Sequence, residues 1–160
     1  MIIKKENCCS VTGHRKLGGD FDERKLKKVF KKLIETGYDT FLIGMAVGFD
    51  TACFNILEKF RDAEYKNIKL IACIPCKGQD YKFSEKQKAE YNRMIESADE
   101  RIYVSENYTP YCMFKRNAFM VDNSVILVAY LSAGINGGGT FNTVSYARKK
   151  SVPVINIAEL

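Results

Sequence analysis

Short apolar runs alternate with helical patterns along this chain, and no other feature of the sequence constrains its fold as strongly. The apolar runs are rich in β-branched residues, and the segments between them repeat apolar residues every three or four positions, as an amphipathic helix does. The predicted strands cover residues 8–12, 40–43, 68–74, 101–104, 124–129 and 152–157. Strands that alternate with helices form a parallel sheet with helices on both faces, so the sequence predicts an α/β fold.

Capping patterns mark where several of the helices begin. Asp20 precedes Glu23 by three residues, which is the spacing of a capping box with Asp20 as the N-cap. Ser84 and Gln87 repeat this spacing, and Pro110 suits the first turn of a helix that runs to about residue 122. These patterns predict helix starts near residues 20, 84 and 110.

The length and charge of the chain limit its organisation and its partners. It has 160 residues, of which 46% are apolar, enough for one domain with a sizeable core. Neither a linker nor an internal repeat divides it, so residues 1–160 are predicted to form a single domain. The net charge of +6 is compatible with an acidic partner. Much of the basic excess lies in residues 24–32, however, where it is typical of the solvated face of a helix.

The cysteines and the hydropathy predict a cytoplasmic location. The sequence has neither the apolar region of a signal peptide nor a run of the ~20 apolar residues that span a membrane, so no membrane partner is expected. Cys73 and Cys76 form a CxxC motif. A zinc site would need two further ligands, and the chain has one histidine and no second CxxC, so no metal is predicted. A redox role is disfavoured because Cys73 lies inside a predicted strand.

Irregular motifs follow the predicted strands at their carboxyl ends, where α/β sheets bind ligands. Gly13, His14 and Arg15 follow the first strand. The second strand is followed by residues 44–50, the third by residues 75–78, and the fifth by a glycine-rich turn. This convergence predicts a ligand crevice, whose candidate residues in the second of these motifs are Gly44, Met45, Gly48 and Asp50.

The glycine-rich turn, at Gly137, Gly138, Gly139 and Thr140, lies between an apolar strand and a helix predicted to start at Thr140. Glycines let the backbone approach a ligand closely, and the free N–H groups of a helix start attract anions. The turn therefore indicates the floor of a phosphate pocket. The alternative is a tight strand-to-helix turn that binds nothing.

A mixed face is predicted on the helix after Pro110. Met113, Arg116, Asn117 and Met120 are spaced so that they share one side of this helix. Such a side suits a wall that stacks on a base or ribose while Arg116 binds a phosphate with forked hydrogen bonds. The alternative is that Arg116 lies on the surface and the methionines pack inward.

These motifs together resemble a known family. Thr12 to Arg15, Gly44 to Asp50, Arg116 with Asn117 and Met120, and Gly138 to Thr140 with Asn142 and Thr143 look like the YpsA-like branch of the SLOG superfamily. This superfamily includes LOG-type phosphoribohydrolases and the DprA/Smf DNA-processing proteins. The similarity extends from residue 8 to residue 157. It implies a Rossmann-like three-layer sandwich with a mainly parallel sheet, which binds nucleotides or nucleotide-derived ligands.

The sequence departs from the LOG-type enzymes at the residues that carry their chemistry. Their glycine turn is followed by paired glutamates, where this chain has Asn142 and Thr143. Cleavage of an N-glycosidic bond needs a carboxylate, which Asp50 or Asp122 would have to supply from elsewhere in the crevice. Asp50 is equally well explained as a helix N-cap. Whether the protein is an enzyme is therefore left open.

Three functions remain compatible with the sequence. The first is binding or sensing of a nucleotide or nucleotide-derived ligand, which makes a phosphorylated small molecule the expected partner. The second is hydrolysis of such a compound. The third is weak binding of single-stranded nucleic acid, for which Tyr103, Tyr108 and Tyr111 are candidate stacking platforms. The first is preferred, with no cofactor predicted beyond that ligand. The sequence does not decide the oligomeric state, for which a homo-oligomer is one option.

Overall fold

The computed structural model describes residues 3–160, which form an α/β sandwich. Its strands are β1 (Cys8–Gly13), β2 (Thr40–Ile43), β3 (Lys69–Ile74), β4 (Glu100–Tyr103), β5 (Ile126–Tyr130) and β6 (Val154–Asn156). Its helices are α1 (Glu23–Glu35), α2 (Phe49–Ala63), α3 (Glu85–Ser97), α4 (Cys112–Asp122) and α5 (Gly138–Lys149). Short 3₁₀ turns lie at Lys5–Asn7 and Ile157–Glu159.

All six strands belong to one parallel sheet with the order β4-β3-β2-β1-β5-β6. The chain starts at the centre, moves outward through β2 and β3 to the β4 edge, and then crosses back to place β5 on the other side of β1. This topology confirms the predicted Rossmann-like sandwich and its parallel sheet.

The two faces of the sheet bury alternate residues of the strands. On one face, residues such as Val11, Phe41 and Leu70 pack against α1, α2 and α3 in the largest apolar cluster. On the other face, strand residues pack against α4 and α5 in two smaller clusters, to which Leu42 and Leu127 belong. The helices therefore cover both faces, as the alternation of strands and helices predicts.

The first helix begins differently from the prediction. Asp22, not Asp20, is the N-cap of α1, and its carboxylate accepts hydrogen bonds from the backbone N–H groups of Arg24 and Lys25. Asp20 instead accepts a hydrogen bond from the Tyr130 hydroxyl, which lowers the pKa of the Asp20 carboxyl. The hydrogen bond from Tyr130, at the end of β5, thus occupies Asp20, and Asp22 caps the helix. The predicted capping box of Ser84 and Gln87 is confirmed.

The last helix, in contrast to the first, starts earlier than predicted. The sequence pattern places its start at Thr140, whereas α5 begins at Gly138 with Gly137 as the N-cap. Two of the glycines therefore lie inside the first turn of the helix. Of the helices in residues 3–160, none is both long and apolar enough to cross a membrane, and the longest, α2, has 15 residues.

Candidate functional site

The loops that leave the carboxyl ends of β1, β2 and β5 are fastened to one another. The carbonyl of His14 accepts a hydrogen bond from the backbone N–H of Phe49, which starts α2. The ring nitrogen Nε2 of His14 accepts a second bond, of 3.0 Å, from the backbone N–H of Ser132 after β5. Its ring also packs edge-on against Tyr130, with centroids 5.1 Å apart. His14 therefore connects loops from three strands at this edge of the sheet.

The turn of residues 44–50, which we call the closed turn, is filled by the protein itself. Gly48 has a φ of +81°, and a Cβ added there would lie 2.2 Å from the carbonyl oxygen of Arg15. A Cβ at Gly13 would lie 2.3 Å from the ring of Phe49, and one at Gly44 would lie 2.8 Å from the Arg116 guanidinium. Each of these three glycines is thus required by a close contact with another part of the chain.

Met45 and Asp50 complete the closed turn. Met45 is fully buried and has a φ of +66°, which is unusual for a residue with a side chain. Asp50 is 6% exposed, and its Oδ2 accepts a 3.1 Å hydrogen bond from the backbone N–H of Ala46. Burial raises the pKa of the Asp50 carboxyl to about 6, although the positive charges of Arg116 and Arg15 oppose this rise. The Asp50 carboxyl group therefore ties the start of α2 to the backbone of the turn, at the cost of burying an ionisable group.

Arg116 lies under the crevice and braces two strands. It is 5% exposed, and its Nη1 donates hydrogen bonds to the carbonyls of Gly44 and Cys73, at the ends of β2 and β3. Its Nε donates to Asn117 Oδ1 at 2.8 Å. Burial lowers the pKa of Arg116, while the negative charge of Asp50 opposes this effect. Arg116, which the sequence predicts to bind a phosphate, is thus bonded to backbone carbonyls of the protein.

The residues of the predicted mixed face of α4 do not share one environment. Met120 packs in the core against Leu42, Ile71 and Cys73. Met113 and Asn117 are half-buried, and Met113 reaches the wall of a cavity. The surface alternative for Arg116 is wrong because the guanidinium is buried, whereas Met120 does pack inward.

The glycine turn before α5, which we call the open turn, contrasts with the closed turn. Gly137, Gly138 and Gly139 are exposed, and a Cβ added to any of them would meet no atom within 4 Å. The first turn of α5 carries neither an acidic residue nor a side-chain cap. The Thr143 hydroxyl donates to the carbonyl of Gly139 at 2.8 Å, within the helix itself. The N–H groups that open α5 are thus left unpaired by side chains.

A cavity of about 680 Å³ opens above the ends of β2 and β3. Three of the residues that line it are cationic, Arg15, Lys77 and Lys82, and none of those described is Asp or Glu. Tyr81 and Tyr108, also in its lining, are 80% and 72% exposed. The other lining residues are Ala46, Val47, Cys76, Gly78, Gln79, Phe83, Gln87, Pro110 and Met113.

Only part of the predicted site meets at this cavity. Arg15 lines it, and the closed turn contributes Ala46 and Val47. The open turn belongs to the same edge of the sheet but not to the cavity lining. Sequence reasoning placed residues 75–78 at this edge but did not single out Lys77, Tyr81 or Lys82, which lie between β3 and α3. Their signal was the cluster of lysines and aromatic residues that follows Pro75.

The candidate carboxylate Asp122 lies away from the crevice. It is the last residue of α4, next to the amino end of β5 and therefore at the opposite edge of the sheet. Both of its carboxylate oxygens accept the Tyr146 hydroxyl, at 2.8 and 3.0 Å. Asp122 is thus too far from the carboxyl ends of the strands to act on a ligand there. Within residues 3–160, no group of three His, Cys, Asp or Glu side chains is placed to hold a metal ion.

Two solved structures share this fold. The chain superposes on DNA processing protein A (DprA) from Streptococcus pneumoniae with a TM-score of 0.64 and 17% identity, over 95% of this chain and 50% of that one. It superposes on DprA from Helicobacter pylori, whose single-stranded DNA binding mode is the subject of that structure, with a TM-score of 0.62 and 13% identity. This second match covers 92% of this chain and 63% of the H. pylori chain. The protein thus spans half to two thirds of these relatives.

Sequence similarity identifies the family of the chain, whereas the two solved structures show only its fold. The chain is 37% identical over 142 residues to the uncharacterized SPbeta prophage-derived protein YoqJ of Bacillus subtilis (strain 168), an alignment that covers 78% of this chain and 79% of YoqJ. The family model YpsA, described as the YspA SLOG family, matches residues 21–154. This match spans both glycine turns, Arg116 and most of the cavity. The chain therefore belongs to the YpsA family of SLOG proteins.

Proposed function

We propose that the protein binds a nucleotide or nucleotide-derived ligand in the cavity above β2 and β3. The observation that carries this proposal is the lining of the cavity, which combines three cations with two exposed tyrosines and lacks acidic residues among those described. Its volume of about 680 Å³ lies within the range of small-molecule sites. A phosphate needs the cations, and a base needs a flat apolar surface.

The charges of the lining favour an anion. Arg15, Lys77 and Lys82 are all exposed, so their charged groups are free to meet a ligand that enters from solvent. Arg15 carries the planar donors that bind a phosphate in a bidentate manner, and the lysines act as point charges. Arg116 supports this arrangement from below, because it holds the ends of β2 and β3 through the carbonyls of Gly44 and Cys73.

The aromatic residues of the lining favour a base. Tyr81 and Tyr108 expose most of their surface although such rings are usually at least half-buried in a folded protein. Stacking of a base on an aromatic ring contributes about 1–3 kcal/mol and tolerates any base, because every base has a π-face. Selection among bases would then fall to polar lining residues such as Gln79.

The open turn provides a further phosphate contact within this proposal. Gly138 and Gly139 leave the start of α5 clear of protein atoms, and the aligned peptide dipoles place partial positive charge there. Thr140 has no hydrogen bond to its hydroxyl in the part of the chain that the structure describes. A ligand with more than one phosphate could contact both Arg15 and the start of α5.

Hydrolysis is the weaker proposal because, among the residues that the structure describes, no carboxylate lines the cavity. Asn142 is exposed but uncharged, and the Thr143 hydroxyl is bonded within its own helix. Asp50 is buried and engaged by Ala46. Incubation with adenosine monophosphate should therefore release little free base. Turnover near the typical enzyme rate of about 10 per second would favour the hydrolase instead.

Binding of single-stranded nucleic acid is the second candidate, and the exposure of four tyrosines favours it. Tyr81, Tyr108 and Tyr111 are each more than 70% exposed, and Tyr103 is half-exposed. The DprA structure from H. pylori, which has the same fold, concerns single-stranded DNA binding, and this likeness supports the second candidate. A strand would place its phosphates on the same cations, so the two candidates differ in the length of ligand required.

The proposal is tested by thermal shift with mono-, di- and cyclic nucleotides and with oligothymidylates of increasing length, since binding to the native state raises the Tm. Arg15→Ala should weaken the best ligand by about 1.5–3 kcal/mol, the value of hydrogen bonds to a charged group. The matched control is Lys16→Ala, which removes an exposed charge next to Arg15 but outside the cavity lining. Equal losses in both variants would place the ligand elsewhere.

The length series separates the two candidates. A mononucleotide that binds as tightly as any oligonucleotide supports the small-ligand proposal. Affinity that grows with strand length and is lost in Tyr108→Ala or Tyr111→Ala supports the second candidate. Purely electrostatic binding would fall steeply with salt, because it depends on counterion release.

A further inference from the structure

Two buried cysteines face each other at the wall of the cavity. The Sγ of Cys112 lies 3.8 Å from the Sγ of Cys76 and donates a weak hydrogen bond to it. Cys76 follows β3 and belongs to the cavity lining, whereas Cys112 is the first residue of α4. Both side chains are buried, at 3% and 0% exposure. The contact joins segments that are distant in the sequence.

The pair differs from the CxxC motif that the sequence displays. Cys73 lies inside β3, and its Sγ is directed to the carbonyl of Ile71 on its own strand. Cys76 lies beyond the end of this strand and is paired with Cys112 instead. Among the described residues, this is the one sulfur–sulfur contact close enough to count as a hydrogen bond. The chain therefore carries a thiol pair that its sequence motif does not reveal.

We propose that Cys76 and Cys112 form a reversible disulfide when a peroxide enters the cavity. Disulfide formation requires the sulfurs to approach from 3.8 Å to about 2 Å and the two side chains to rotate into disulfide geometry. The bond would join the segment after β3 to the start of α4, both of which contribute residues to the cavity lining.

The chemistry balances with hydrogen peroxide as the oxidant. The sulfur of Cys76, which borders the cavity, attacks one peroxide oxygen. The O–O bond breaks, the thiol proton leaves with the departing oxygen as water, and a sulfenic acid remains. The sulfur of Cys112 then attacks the sulfenic sulfur, the S–O bond breaks, and the second thiol proton leaves as another water. The two sulfurs lose two electrons, which the peroxide gains.

The surroundings set the rate of the first step. Burial raises the pKa of the Cys76 thiol, and the neighbouring Cys112 raises it further, whereas the Arg116 charge lowers it. Since the thiolate is the reactive form, the reaction should be slower than at an exposed redox cysteine and should accelerate as the pH rises. The cavity supplies the path that a buried thiol otherwise lacks.

The test is a cysteine map of the full chain after treatment with hydrogen peroxide. Free thiols are alkylated, the protein is digested without reduction, and the peptides are identified by mass spectrometry. A peptide pair linked through Cys76 and Cys112, which dithiothreitol separates, is the expected result. A link between Cys73 and Cys76, irreversible oxidation of Cys76 without a link, or unmodified thiols would each overturn the proposal.

Two variants sharpen the result. Cys112→Ser should leave Cys76 as a sulfenic acid that a dimedone probe captures, because the second sulfur is missing. Cys53→Ser, which removes a buried cysteine of α2, should still form the link. Oxidation of the wild type should also raise its Tm, since the bond closes a loop of 36 positions between residues 76 and 112 and restricts the unfolded chain. A lower Tm would show that the native fold does not accommodate the bond, and would overturn the proposal.

Discussion

The two glycine turns at the carboxyl edge of the sheet use glycine for different reasons. In the closed turn, a Cβ at Gly48 would overlap the Arg15 carbonyl, and one at Gly44 would press on the Arg116 guanidinium. In the open turn, a Cβ at Gly137, Gly138 or Gly139 would meet no protein atom. The glycines of the closed turn are therefore explained by packing. Those of the open turn have no packing explanation: a φ of +90° favours glycine at Gly138, and the proposed phosphate contact explains Gly139.

Replacement of Gly48 should have the largest effect on stability. Gly48→Ala should destabilise the fold by more than about 3 kcal/mol, because both the backbone conformation and the contact with Arg15 exclude a side chain. Urea denaturation measures the change. Gly134→Ala is the matched control, since Gly134 has the same φ of +81° but open space around it. Similar losses in both variants would mean that the backbone conformation, not packing, requires glycine.

The carboxylate inside the closed turn should make stability depend on pH. The folded pKa of Asp50 is about 6, above its ordinary value of 3.8, so the folded state binds more protons than the unfolded state between these values. The contribution of Asp50 to stability therefore falls as the pH rises through this window. As the pH rises from about 4 to about 7, the free energy of unfolding of Asp50→Asn should therefore increase by about 3 kcal/mol relative to that of the wild type.

Denaturation of both proteins across this pH range measures the difference. Asp62→Asn is the control, because Asp62 lies on the same helix with a side chain that is 64% exposed. A constant difference between the wild type and Asp50→Asn would show that the buried carboxyl is not protonated in this window.

Replacement of Gly139 tests the open turn. Gly139→Val should change the free energy of unfolding by less than about 1 kcal/mol, because valine has room there and a better helix propensity than glycine. It should weaken a phosphorylated ligand by about 2 kcal/mol, since the branched side chain blocks the N–H groups that would bind the phosphate. Denaturation and ligand titration of the variant and the wild type measure the two effects. A loss of stability with unchanged affinity would show that this turn has a structural role and does not bind the ligand.

The smallest effect is expected at Thr140. Thr140→Val keeps the shape of a side chain that is 9% exposed and removes only the hydroxyl. If the hydroxyl binds the same phosphate, affinity should fall by about 1 kcal/mol, the net value of one hydrogen bond. Calorimetric titration of the best ligand resolves such a change. Unaltered binding would restrict the contact to the backbone of the open turn.

The fold was predictable because its determinants are local. Continuous apolar runs in the strands, helical spacing between them and the Ser84 capping box are all visible in short windows. The errors arose where a distant residue decides the local outcome. Asp20 has the spacing of an N-cap, but the Tyr130 hydroxyl engages it from the end of β5. Neither the spacing of residues nor their helix propensity predicts the hydrogen bond between Tyr130 and Asp20.

The site was less predictable for a related reason. Arginine on a mixed helix face suggests a phosphate ligand, yet Arg116 meets backbone carbonyls that only the assembled β2 and β3 bring together. The cavity cations Lys77 and Lys82 lie in a connection without periodicity, where a pattern of apolar residues gives no information. The Cys76–Cys112 contact likewise depends on the packing of α4 against the sheet.

The strand order has a consequence for synthesis of the chain. β1 is paired with β2 early, but its other edge is completed only by β5, whose residue Ile126 lies opposite Cys9. Translation at about 5–20 residues per second covers the stretch from the end of β2 at Ile43 to Ile126 in roughly 4–17 seconds, and the edge stays open for that time. During that interval the backbone of a future core strand is available to other chains, as an unpaired sheet edge is. A nascent chain arrested before residue 126 should therefore depend on chaperones far more than the finished protein.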